Sequence, residues 1–180
     1  NTNKKIAIVS SGAIALGKKF ISNHKPIKRL EDKQAAAAIG QIELAKHWQQ
    51  SFKKYKINTA QLLLTLNDSE ERRRYLNARK TLIALQNKRV IPIINENDTV
   101  ATEEIRYGDN DRLAARVAQM MGADLLIMLS DIDGLYTANP YLNKKAQRVN
   151  NIKMIDEVIE KMAVKNQSVF GSGGMQTKIW

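Results

Sequence analysis

Two stretches of this chain carry side chains whose types and spacing suit chemistry on a small polar ligand. The first is Asn95-Glu96-Asn97-Asp98, followed after a short polar segment by Gly108-Asp109-Asn110-Asp111. Its amides offer donors for a carboxylate, and its acids offer acceptors for an ammonium group. Turn chemistry competes with that reading, because Asn and Asp favour loops and Asp109 suits a helix N-cap. The density of polar groups favours a site. The second stretch runs from Gly171 to Lys178. Its three glycines free backbone amides to face an anion, Thr177 adds a hydroxyl and Lys178 adds a point charge. Thr177 stands where a Walker A loop has glycine before its lysine, so this is a phosphate loop of another kind. A surface loop is the competing reading.

Two further segments leave strand-like runs. Ser10-Ser11-Gly12-Ala13 has small residues that admit a ligand to the backbone, and the amides of a following helix can take an anion. An ordinary strand-to-helix turn fits equally well. Ser130-Asp131-Ile132-Asp133-Gly134 lacks the further ligands and the glutamate of a calcium loop, which leaves a nucleotide contact or a plain turn. Arg72-Arg73-Arg74 reads as an exposed helix face. Trp48, Met120 and Met121 read as core, and His24 and His47 as surface.

These segments need elements to hold them. Ile6-Ala7-Ile8-Val9, Thr59 to Leu66, Val90 to Ile94 and Asp124 to Leu129 are short apolar runs that predict buried parallel strands. Between them, helical spacing appears from Gln34 to Tyr55, with Ile39, Ile42, Trp48, Phe52 and Tyr55 on one face. Asn67-Asp68-Ser69 predicts an N-cap for a helix burying Leu76, Leu82 and Leu85. Asp109 to Met121 predicts a helix burying Leu113, Val117 and Met120, and a last helix is expected from Asp156 to Ala163. Alternating strands and helices predict a parallel sheet covered on both faces, in one domain over residues 1–180. The candidate residues then gather at the carboxyl edge of the sheet, where open α/β sheets bind ligands.

Composition narrows the chemistry. The 180 residues are 43% hydrophobic and 26% charged, which suits a globular fold. There is no cysteine, and the two histidines lack ligand spacing, so zinc and His-based nucleophilic chemistry are disfavoured. The formal charge is +11, but the lysines are scattered and few aromatics interleave with them, so a nucleic-acid partner is not expected. No apolar run reaches transmembrane length, and the run after Lys4-Lys5 is too short for a signal peptide. A cytoplasmic protein is expected. No initiator Met opens the chain, and at Trp180 the glycine-rich segment has only begun to feed a helix, so a domain incomplete at both ends is expected.

Taken in order, Ser10-Ser11-Gly12-Ala13-Ile14, Tyr75-Leu76-Asn77-Ala78-Arg79, Asn95-Glu96-Asn97-Asp98, Gly108-Asp109-Asn110-Asp111, Asp131 with Gly134-Leu135-Tyr136, and Gly173-Gly174-Met175 with Thr177-Lys178 resemble the amino acid kinase family. Within it they resemble the branch that phosphorylates the side chain of glutamate. Branches acting on acetylglutamate, aspartate, carbamate or uridylate share the architecture but not this combination. The resemblance spans the whole chain.

The resemblance implies a three-layer αβα sandwich with a mainly parallel central sheet. It implies phosphoryl transfer from ATP, with Mg²⁺, to the side-chain carboxylate of L-glutamate, the first committed step of proline synthesis. Ser11, Asp98 and Asn110 match glutamate-binding positions, with Asn95 as a fourth. Ser130 and Asp131 match a nucleotide-binding pair, with Ser130 where the family often has Thr. Ser172, Gly173, Gly174, Met175, Gln176, Thr177 and Lys178 match the nucleotide loop. Lys178 also matches a catalytic lysine, and Asp111 the carboxylate that orients the catalytic lysines. Homo-oligomer formation and feedback by proline are expected on the same ground. The family's first strand ends in a Lys-x-Gly-Ser-like motif with a second catalytic lysine, which this chain lacks, so the chain as given is expected to be inactive. Two alternatives stand beside this reading: a kinase of the same family with another acceptor, and a non-catalytic ligand-binding module.

Overall fold

The structure is a computed structural model that describes residues 4–21, 27–101, 110–130, 132–165 and 175–179. Two compact units are present, Asn1–Ala123 and Asp124–Trp180.

In the first unit, β1 (Ile8–Val9), β2 (Asn58–Leu64) and β3 (Val90–Glu96) form a parallel sheet in the order β1-β3-β2. Val9 pairs with Ile94, and Leu64 with Glu96, so all three strands end at one edge. Parallel neighbours require crossovers. These are α1 (Ala13–Ile21) and α2 (Leu30–Lys53) between β1 and β2, then α3 (Leu66–Glu70) and α4 (Arg72–Asn87) between β2 and β3. After β3 comes α5 (Asn110–Met121). Ile94 is fully buried with Leu64, Leu82 of α4, and Leu113, Val117 and Met120 of α5. The next residue, Asn95, must point to the opposite face of the sheet, and there it meets Gln41 of α2. Helices thus cover both faces, as expected for an αβα sandwich.

Several expectations on element ends and faces are corrected. The buried side of α2 is Ala36, Ala37, Gly40, Gln41 and Leu44, whereas Ile39, Ile42 and Tyr55 are exposed. The cause is the contact with α1. A Cβ on Gly17 would lie 1.8 Å from the Ala36 carbonyl oxygen, and one on Gly40 would lie 1.8 Å from that of Ala13. Helices that approach so closely must meet along their small residues, not their large ones. After β2, Thr65 rather than Asn67 is the N-cap. Its amide and hydroxyl donate to Asp68 Oδ2 at 2.6 and 2.7 Å, completing a capping box. Glu71 then leaves helical geometry at ψ 117°, so α3 and α4 are separate and Leu76 is exposed. β3 continues two residues beyond Ile94, so Asn95 and Glu96 are strand residues and both are buried.

The second unit holds α6 (Glu157–Lys165) and α7 (Met175–Ile179). Asp156 caps α6, its Oδ1 accepting from the amides of Val158 and Ile159 at 3.0 and 2.9 Å. Leu135, Ala163 and Met175 form the buried centre, with Ile132, Val149, Ile152 and Ile159 around it. The expected strand from Asp124 to Leu129 forms no ladder among the described residues, and Leu125, Ile127 and Leu129 are 74, 71 and 89% exposed. An apolar run favours a strand, but a ladder also needs a partner. Tyr136 and Arg148 form an isolated antiparallel bridge. Among the described residues, no helix is long and apolar enough to cross a membrane.

Candidate active site

The carboxyl edge of the first unit's sheet brings the first polar cluster together. β1 is carried past Val9 by the Ser10 amide, which donates to the Ile94 carbonyl at 2.9 Å. The turn into α1 passes through Gly12 at φ +114°, a region that favours glycine. The Leu16 amide then donates to the Gly12 carbonyl at 3.0 Å, which starts α1. The two serines divide their work. Ser10 Oγ accepts from Trp48 Nε1 at 3.0 Å and fastens β1 to α2. Ser11 is exposed, so its hydroxyl is open to a ligand.

At the end of β3, Asn95 is 3% exposed and sits between two other amides. Asn95 Nδ2 donates to Gln41 Oε1 at 2.8 Å, and Asn110 Nδ2 donates to Asn95 Oδ1 at 2.9 Å. The first turn of α5 is thereby held at the end of β3. The Asn95-to-Asp98 segment and the start of α5, fifteen positions on, meet in this contact. The Asn97 amide donates to the Leu64 carbonyl at 2.8 Å, and the Asn97 carbonyl accepts from Val100 and Ala101, which forms a turn containing half-buried Asp98. Asp111 lies in the first turn of α5, where a carboxylate is favoured by the helix dipole. Ser11, Asn95, Asp98, Asn110 and Asp111 therefore all belong to the strand ends and helix start of one edge. Gly108 and Asp109 lie outside the described residues.

Gln41 is a participant that the sequence did not point out. Its signal is a lone glutamine on an otherwise small and apolar helix face, between Ala37, Gly40 and Leu44. Arg79, part of the Tyr75-to-Arg79 motif, has a structural task. Its Nε donates to the Met120 carbonyl at 3.0 Å, satisfying an orphan acceptor in the last turn of α5.

In the second unit, Ser130 is exposed, and Asp131, Ser172, Gly173 and Gly174 lie outside the described residues. Met175 opens α7 with its side chain buried in the apolar cluster. Gln176 and Thr177 belong to α7, but their side chains lie outside the described residues. Lys178 is in the same short helix and is partly exposed. Near Ser130, Asp133 is committed to structure. Its Oδ1 accepts from the Tyr136 hydroxyl at 2.9 Å, and its Oδ2 pairs with Arg148 at 3.2 Å. The hydrogen bond to Asp133 holds the Tyr136 phenol above its ordinary pKa, helped by desolvation.

A parallel αβα sheet whose carboxyl edge gathers amides, acids and a glycine-started helix defines a class. The chain belongs to the amino acid kinase family, whose model matches residues 1–180. Among curated proteins, it is 56% identical over 177 residues to the glutamate 5-kinase of Pelagibacter ubique, covering 98% of this chain and 48% of that protein. It is 58% identical over 175 residues to the glutamate 5-kinases of Allorhizobium ampelinum and Bartonella henselae, covering 97% of this chain and 45 and 46% of those proteins. The chain spans about half the length of the curated relatives it matches.

Proposed function

We propose that the protein carrying this chain transfers the γ-phosphoryl group of ATP to the side-chain carboxylate of L-glutamate, giving L-glutamyl 5-phosphate for proline synthesis. The observation that carries this reading is the Asn110–Asn95 contact. It joins both polar segments into one site at a sheet edge, in a chain 56 to 58% identical to proteins named glutamate 5-kinase.

The acceptor carboxylate is ionised at neutral pH, so attack needs no general base. A carboxylate oxygen forms the new bond to the γ-phosphorus while the bond to the β-γ bridging oxygen breaks, and ADP leaves with that electron pair. Catalysis then consists of alignment and of neutralising the charge spread over the phosphoryl oxygens. Ser11, Asn95, Asp98 and Asn110 hold the amino acid. Asp98 accepts from its ammonium group, which selects an amino acid over a simple diacid. Lys178 neutralises the transferred group, and Asp111 orients the catalytic lysines. Ser130, Asp131 and the loop from Ser172 to Lys178 hold the nucleotide. Mg²⁺ enters on the ATP phosphates as part of the substrate. A small hard cation suits phosphate oxygens.

Residues 1–180 form part of a single kinase domain in this reading, in a cytoplasmic homo-oligomer subject to feedback by proline. The test is ADP release by the full-length protein with glutamate, aspartate, acetylglutamate, carbamate and uridylate as acceptors. Release with glutamate alone, accompanied by a hydroxylamine-trapped acyl phosphate, is expected. Release with another acceptor and not glutamate overturns the substrate, and release with none overturns the kinase reading.

A further inference from the structure

We infer that Gln41 is a positioning residue for the amino acid site, and that it sets the polarity Asn110 presents to the ligand. The inference rests on the proposed role of Asn95 and Asn110 in binding the amino acid. Gln41 lies in the middle of the buried face of α2, only 7% exposed, among Ala36, Ala37, Gly40 and Leu44. Its Oε1 accepts from Asn95 Nδ2, while its Nε2 is buried with no hydrogen-bond partner among the described residues. Burying an unpaired amide donor costs free energy, and native interiors avoid it. An apolar side chain of similar volume would pack the same place without that cost, but would take the acceptor from Asn95 Nδ2. Packing of α2 against α1 therefore does not account for a glutamine, whereas the acceptor it turns towards Asn95 does.

The consequence passes along the amides. Each carboxamide has one accepting end and one donating end. Gln41 Oε1 takes the donating end of Asn95, so Asn95 turns its oxygen to Asn110. Asn110 commits Nδ2 to that oxygen, and its Oδ1 is the end not bonded to Asn95. An oxygen suits an ammonium group. Reversal at Gln41 would reverse both asparagines and offer a donor instead.

Gln41→Met keeps the volume and removes the strong acceptor. In the full-length protein it is expected to raise the KM for glutamate about tenfold, the scale of one lost hydrogen bond to a charged ligand, with the KM for ATP within about twofold of wild type. Its Tm should stay close to wild type, since the unpaired Gln41 donor disappears while Asn95 Nδ2 loses its acceptor. Gln41→Glu restores an acceptor opposite Asn95 and should bring the glutamate KM back towards wild type. A purely structural role predicts instead that both KM values change alike and that Gln41→Glu brings no selective recovery of the glutamate KM. That pattern, or a Gln41→Met enzyme with unchanged glutamate KM, overturns the inference. Should Gln41→Met fail to fold, a structural role is indicated and the inference also falls. A wild-type protein with no glutamate-dependent ADP release overturns the proposed function and this inference with it. An active wild type with an indifferent Gln41→Met overturns this inference alone.

Discussion

Asn110 donates its side-chain amide to Asn95 Oδ1 at 2.9 Å, pinning the first turn of α5 to the buried end of β3. Fifteen positions separate the two residues, and this bond makes them neighbours at the sheet edge. Asn95 is buried and fixed on its other side by Gln41, so the sheet locates Asn110.

Replacing Asn110 tests that relationship. Asn110→Asp sets a carboxylate against the Asn95 oxygen, so an attractive contact becomes a repulsive one. The KM for glutamate should rise at least about tenfold, with the KM for ATP nearly unchanged. Initial-rate kinetics on both substrates measure this. Equal changes in both KM values would show that the contact serves general folding.

Lys178 should act on the transferred group and not on the amino acid. Lys178→Ala in the full-length protein is expected to lower kcat on the order of a thousandfold, the usual scale for removing a cation that stabilises a phosphoryl transition state. Calorimetric titration should show glutamate binding largely intact. Persistence of turnover would remove Lys178 from the catalytic role.

The α1–α2 contact sets a steric limit that stability can report. A Cβ at Gly17 would stand 1.8 Å from the Ala36 carbonyl oxygen, which is backbone and cannot swing aside. Gly17→Ala should destabilise the protein by about 2 kcal/mol or more, despite the higher helix propensity of alanine. Chemical denaturation of wild type and variant gives the difference, and a neutral or stabilising result would rule out so close a crossing.

Tyr136 provides a titration with a definite sign. Its hydrogen bond to Asp133, then desolvation, raise the phenol above its ordinary value of 10.0. A group raised in the folded state contributes stability that is fully present below its unfolded pKa. That contribution is lost as pH rises through the folded pKa, so the loss belongs to alkaline solution above about pH 10. Asp133→Asn removes the charge facing the phenol and should move the Tyr136 phenolate absorbance change to lower pH. An unmoved midpoint would mean that Asp133 does not govern the phenol.

How much could be read beforehand depended on which interactions local pattern encodes. The runs around Ile8, Leu62 and Ile93 marked three parallel strands, because strands covered by helices carry continuous apolar stretches. Leu113, Val117 and Met120 marked the inner face of α5 by simple periodicity. The buried face of α2 was not legible from its large apolar residues, because a close crossing selects small ones such as Gly40 and Ala36. Asn95 was legible as a site candidate, but its burial was not, since that follows from the register that extends β3 to Glu96. Gln41 was invisible because its meaning lies in a contact 54 positions away.

The central claim is that the side-chain carboxylate of glutamate attacks the γ-phosphorus. Its most direct test supplies the full-length protein with ATP and glutamate labelled with ¹⁸O in the side-chain carboxylate, traps the product with hydroxylamine, and examines the released phosphate by mass spectrometry. Hydroxylamine attacks the acyl carbon, so the bridging oxygen leaves with phosphorus. The account predicts phosphate carrying one ¹⁸O per turnover. Glutamate-dependent ADP release that yields only unlabelled phosphate would contradict it.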